Sequence, residues 1–146
     1  NDIYYMLGNL YEDKEKSEQA YRLAARGEFN LSSAMYYNDQ PPQMMYYSAK
    51  AIEALGDKDE AKKRFNAFIE YANNHMNDEM KIDYFAVSLP DFLIFEGDLN
   101  KNNKVHCNLM AALGYLGIGD NDNAQKYAKQ GLELNQCHAE LRDIVK

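Results

Sequence analysis

Tryptophan is absent, cysteine occurs twice and proline three times in this chain of 146 residues. Nowhere is there an apolar run of the eighteen or more residues that a membrane-crossing helix needs. Two cysteines, Cys107 and Cys137, are too few for a disulfide framework, which points to reduced thiols and a cytoplasmic chain. Basic side chains are also in deficit: 16 Lys and Arg stand against 23 Asp and Glu, a net charge of −7. Such a field repels phosphate backbones and anionic lipid surfaces, so neither nucleic acid nor membrane is an expected partner. The densest basic run, Lys62, Lys63 and Arg64, reads as the solvated face of a helix. The chain opens on Asn1 with no charged and greasy leader, and it reads as a piece of a longer polypeptide.

Catalytic signatures are missing as well. There is no nucleophile elbow, no glycine-rich phosphate loop and no HExxH, and no obvious carboxylate at helical spacing is expected to orient the three histidines for catalysis. Asp83 and Asp91 resemble a glycosidase pair only in being two carboxylates, with no deep pocket implied. His106-Cys107 and Cys137-His138 are zinc-compatible residues one repeat apart, but adjacent helical residues diverge and no two-residue gap is present, so no metal is expected. DLNKNN at 98–103 opens like a calcium loop, yet Asn103 stands where glycine belongs and Leu109 where the bidentate glutamate belongs. No cofactor and no enzymatic activity are expected.

What is present is periodicity. Apolar residues recur at spacings of three and four, nothing alternates with period two, and the class is all-α. AIEALGDKDEAKKRF at 51–65 is echoed by ALGYLGIGDNDNAQKYA at 112–128: an apolar helix, a Gly-Asp turn and a second helix centred on alanine. Asp57 with Glu60 forms a capping-box pair, Asp120 caps the counterpart helix, and Asp98 with its neighbouring asparagines caps the helix that opens the last unit. Pro41 and Pro42 suit a helix's first turn.

Three units align as Tyr4, Leu7, Gly8, Tyr11, Ala20, Ala24; Met45, Ser48, Ala49, Ile52, Ala61, Phe65; and Asn108, Ala111, Ala112, Tyr115, Ala124, Ala128. The small pairs Gly8 with Ala20, Ala49 with Ala61, and Ala112 with Ala124 hold throughout, as two closely approaching antiparallel helices require. These residues resemble the tetratricopeptide repeat, a helix-turn-helix unit of 34 residues. The resemblance implies a right-handed stack of antiparallel hairpins forming one domain, with repeats near 1–34, 42–75 and 105–138, an irregular helical insert near 76–104 and a C-terminal helix near 138–146. NDIYYMLGNLYE, AMYYNDQPPQMMYYSAKAIEALGDKDEAKKRF and KIDYFAVSLPDFLIFEGDLNKNN further resemble the C-terminal repeat region of an uncharacterised bacterial family whose preceding domain is similar to galactose mutarotase.

In such repeats the first helix of each hairpin lines a concave groove. The resemblance places Tyr5, Asn9 and Glu12, then Gln43, Tyr46, Lys50 and Glu53, then His106, Leu109 and Leu113 on that face. One half is aromatic and acidic, the other apolar, which suits a protein or peptide segment or an upstream domain of the same chain. The function implied is a non-catalytic interaction scaffold; the alternative is an accessory helical domain of a carbohydrate-active or carbohydrate-binding protein. Tyr4-Tyr5, Tyr36-Tyr37 and Tyr46-Tyr47 read as packing rather than a cage, one tyrosine of each pair turned to the core and one to the groove or rim. Ile82, Phe85, Ala86 and Leu89 follow helical spacing, Pro90 starts a second short helix with Phe92, Leu93 and Phe95, and together they read as an extra hairpin covering part of the leucine strip.

Overall fold

The computed structural model describes residues 1–31, 41–80 and 98–146. The insert hairpin expected around Pro90, Asp83 and Asp91, and the Tyr36-Tyr37 pair lie outside the described residues. Among the described residues seven helices follow in chain order: α1 (Asp2–Leu10), α2 (Lys14–Ala24), α3 (Pro42–Ala54), α4 (Lys58–His75), α5 (Leu99–Gly117), α6 (Asn121–Leu134) and α7 (Ala139–Val145). No strand occurs among the described residues. The pairs α1/α2, α3/α4 and α5/α6 are hairpins, and each packs on the next.

The helix starts follow from local chemistry. Asp13 accepts hydrogen bonds from the amides of Glu15 and Lys16, Asp57 from Glu60, Asp98 from Lys101 and Asp120 from Asn123, so all four orient a first helical turn. The Glu60 carboxylate does not close the capping box; it pairs with Arg64 Nε at 2.9 Å. Pro42 occupies the first position of α3, where its missing N–H costs nothing. Asn1 precedes α1 without capping it, because its side-chain amide donates instead to the Ala24 and Arg26 carbonyls and so closes the far end of α2. Gly56 and Gly119 end α3 and α5 at φ of 102° and 83°, a left-handed conformation that favours glycine.

All six small residues singled out from the repeats, Gly8, Ala20, Ala49, Ala61, Ala112 and Ala124, are buried. α4 and α5 approach closely through glycine: a Cβ on Gly114 would sit 2.6 Å from Ile69 Cγ1 and 2.7 Å from the Phe65 carbonyl oxygen. The core centres on α5, whose Val105, Cys107, Leu109, Met110, Ala111, Ala112 and Leu113 are all buried together with Met45, Phe68 and Leu141. The chain leaving α2 adds Phe29, which meets Phe68 edge-on at 5.7 Å and carries the Arg64 guanidinium 5.0 Å from its ring centre.

Candidate functional site

A ladder of rings crosses four helices. Tyr21 of α2 lies 5.9 Å from Tyr5 of α1, Tyr5 lies 5.6 Å from Tyr47 of α3, Tyr47 meets Tyr46 edge-on at 5.4 Å, and Tyr46 lies 5.7 Å from Phe65 of α4. Such tilted and edge-on contacts match the aromatic quadrupole and fix the rings relative to one another. The ladder has polar ends. The Tyr21 hydroxyl donates to Asn9 Oδ1 at 2.8 Å, while Lys50 pairs with Glu53 and holds its Nζ 5.9 Å from the centre of the Phe65 ring. Burial pushes the Tyr46 phenol well above its ordinary value, helped by Tyr5, Tyr47 and Glu53; burial also raises Tyr47, seconded by Asp2, Tyr5 and Asp143. Both phenols are therefore neutral at physiological pH, and a neutral ring with a hydroxyl suits contact with apolar or cationic groups.

Five of the ten inner-face residues expected from the sequence, Tyr5, Asn9, Tyr46, Lys50 and Glu53, thus belong to one connected surface on α1 and α3. Gln43 and His106 belong elsewhere. Gln43 Nε2 donates to Glu140 Oε1 at 3.1 Å, which ties the start of α3 to α7. His106 is partly buried with its ring edge-on to Tyr71 at 5.9 Å, and its Nε2 has no protein partner. Burial, with the His138 charge second, pushes the His106 imidazole down to about 4. His138 Nδ1 lies 3.2 Å from Glu140 Oε2 but off the line of a hydrogen bond. Glu12 is exposed in the α1–α2 turn.

Leu109 and Leu113 are 4% and 5% exposed. They are core residues and offer no open apolar strip to a partner, because α5 runs between α3, α4, α6 and α7 and has no free side along this stretch. Within the tyrosine pairs, Tyr4 is 45% exposed and so is not a core residue, and Tyr46 and Tyr47 share one ladder. Sequence reasoning missed Tyr21 and Tyr47 as ladder members. A usable signal was present, since Tyr5 and Tyr21 flank the Gly8–Ala20 close approach: Tyr21 lies across the bare face of Gly8, where a Cβ would sit 2.4 Å from its ring.

Other chemistry is spent on packing. Asn100 Oδ1 accepts from the Met80 amide at 2.8 Å, Asn103 Nδ2 donates to the His75 carbonyl at 2.7 Å, and Asp98 caps α5. Among the described residues no three His, Cys, Asp or Glu side chains gather as a metal would need. A cleft of about 440 Å³ between α4, α5 and α6 is lined by residues such as Asn73, Lys104, Tyr127 and Gln130, and includes none of the ten inner-face residues.

Paired antiparallel helices stacked in series, joined by small-residue contacts, define an all-α helical-repeat protein. The tetratricopeptide repeat family model matches residues 2–23, which span α1, its turn and α2 up to Leu23. The first hairpin is thus similar to that family, whose repeats generally mediate protein–protein interaction and are typically non-catalytic. No solved structure matches the chain. Among the described residues no helix is long and apolar enough to cross a membrane.

Proposed function

We propose that this chain is a non-catalytic interaction scaffold whose inner face on α1 and α3 docks a segment of another protein or of an adjoining domain. The observation that carries the reading is the continuous ring ladder Tyr21, Tyr5, Tyr47, Tyr46 and Phe65, with Asn9 at one end and the Lys50–Glu53 pair at the other. Aromatic rings give a large contact area with few rotatable bonds, and the polar ends give register to a bound segment. Acidic side chains near the ladder, Asp2, Glu53 and Asp143, favour a segment with a basic residue beside apolar ones. Because Leu109 and Leu113 are covered, and Gln43 and His106 are engaged elsewhere, the docking face is confined to the first two hairpins.

Affinity capture with the parent chain and with a Tyr5→Ala, Tyr46→Ala, Lys50→Ala variant, followed by calorimetric titration of whatever protein the parent retains, tests this. The expected result is a loss of at least about tenfold in affinity, since buried aromatic anchors carry roughly 2 kcal/mol or more each. Equal affinity for parent and variant, with both folded by circular dichroism, would remove the ladder from the binding surface.

A further inference from the structure

One core position breaks the pattern of its repeats. Tyr4, Met45 and Asn108 occupy equivalent places in the three units, and Met45 shows what the place asks for within the stack: a large apolar side chain, 1% exposed, in the main core. Asn108 is almost as deeply placed, at 5%, yet it is short and polar. Its Nδ2 donates to the Lys104 carbonyl at 2.8 Å and lies 3.9 Å from Met76 Sδ, while its Oδ1 is buried without a partner among the described residues. A buried carboxamide oxygen that lacks a donor costs stability, and an apolar side chain at the same place would not. Chains that break a packing rule at a single core position do so chiefly where something binds. The same Asn108 lines the cleft of about 440 Å³ between α4, α5 and α6, a volume within the range of ligand sites.

We propose that this cleft binds an extended, uncharged stretch of a partner polypeptide about three residues long, with one of its backbone N–H groups donating to Asn108 Oδ1. Length argues for this occupant: along α6 the lining runs from Tyr127 to Leu134, about 10 Å at roughly 1.5 Å per residue, which matches three residues of extended chain at roughly 3.3 Å each. The walls suit a backbone. Asn73 and Asn77 line the cleft from α4, one turn apart, and Gln130 lines it from α6; each carboxamide offers both a donor and an acceptor, as a peptide unit does. All three are exposed and can rotate toward a bound chain, and Met76 and Leu134 give its side chains an apolar contact. Charge argues against ionic ligands, because among the described residues the lining holds one cation, Lys104, and one carboxylate, Glu133, and so selects neither a phosphate nor a metal ion. A sugar ring finds no open platform either: Tyr127 stacks on Tyr115 at 5.4 Å and carries Lys126 Nζ 5.6 Å from its centre. The cleft shares no residue with the ring ladder, so it stands or falls apart from the inner face.

Titration of the 146-residue chain with the capped tripeptide acetyl-Ala-Leu-Ala-methylamide, followed through the side-chain amide signals of Asn73, Asn77, Asn108 and Gln130 in nitrogen–proton correlation spectra, reads the outcome. The expected result is saturable shifts with Kd on the order of 1 mM, the scale for so small a ligand. The same tripeptide methylated at every backbone nitrogen, which keeps the carbonyls and loses the N–H donors, binds at least about tenfold more weakly. Asn108→Leu returns an apolar side chain to the Met45 position and abolishes binding with unchanged helix content. Should that core variant not fold, the double variant Asn73→Ala, Gln130→Ala, at exposed positions, still decides the matter by weakening binding at least about fivefold. Absence of saturable shifts up to about 20 mM overturns the proposal and leaves the Asn108 oxygen to an ordered water. Equal affinity for the methylated tripeptide, or affinity unchanged in the double variant, overturns it as well.

Discussion

α1 and α5 are the same element of the repeat and could hardly differ more in environment. The nine residues of α1 bury Gly8 alone, whereas α5 buries ten residues from Asn103 to Gly114 on every side. Their repeat positions match, so the contrast is set by neighbours: α5 has a helix before it, one after it and α7 beyond, whereas among the described residues α1 packs only on α2 and α3 to any extent. An apolar residue at a given repeat position is therefore core or surface according to its place in the stack. The same repeat element thus supplies packing in α5 and exposed surface in α1.

The largest expected effect lies on α5 at His106, whose counterpart on α1 is the partly exposed Asp2. The folded imidazole sits at about 4, below its ordinary 6.5, so the unfolded chain binds the proton more readily. Stability is complete above about pH 6.5 and falls as pH drops from there toward 4, by up to about 3 kcal/mol from this group alone. Urea unfolding at stepped pH should show that slope in the parent and a much flatter one in His106→Gln. A parent profile that is flat between pH 6.5 and 4.5 would show that water reaches the ring freely.

Position ten of the repeat gives the next test. Gly114→Ala forces a methyl group against Ile69 and the Phe65 carbonyl, and backbone cannot step aside as a flexible side chain does. A loss of about 1–3 kcal/mol is expected in denaturant unfolding, typical of overpacking. Helix starts extend the comparison at smaller magnitude. Asp98 accepts from the Lys101 amide at the head of α5, while α1 has no side-chain cap, so Asp98→Ala should cost about 1 kcal/mol and Asn1→Ala should act through the end of α2 instead. Amide exchange separates the two, faster at residues 101–103 in the first variant and near Arg26 in the second.

How much of this could be read from the sequence divides along the same line. Local rules carried far: Asp57, Asp98 and Asp120 cap as their positions imply, Pro42 opens α3, and the small pairs are all buried. Each depends on a few consecutive residues or on one pair of helices. Leu109 and Leu113 are different, because repeat position puts them on the inner face while burial depends on what other elements lie over α5. The same holds for α7, whose Leu141, Ile144 and Val145 share a side as their spacing implies, but whose Glu140 bond to Gln43 joins residues 97 apart in sequence. The ring ladder draws on four helices, and adjacent tyrosines gave no warning that Tyr46 and Tyr47 would both join it.

The smallest effect is the sharpest test of place against identity. Leu10 occupies the position of Gly114 and is 76% exposed, so Leu10→Ala removes a large side chain that touches little within its own chain. Unfolding free energy should change by no more than about 0.5 kcal/mol in denaturant unfolding. A large loss would mean that α1's outer face is packed within the chain, and the contrast with α5 would then lie in degree of cover rather than in its presence.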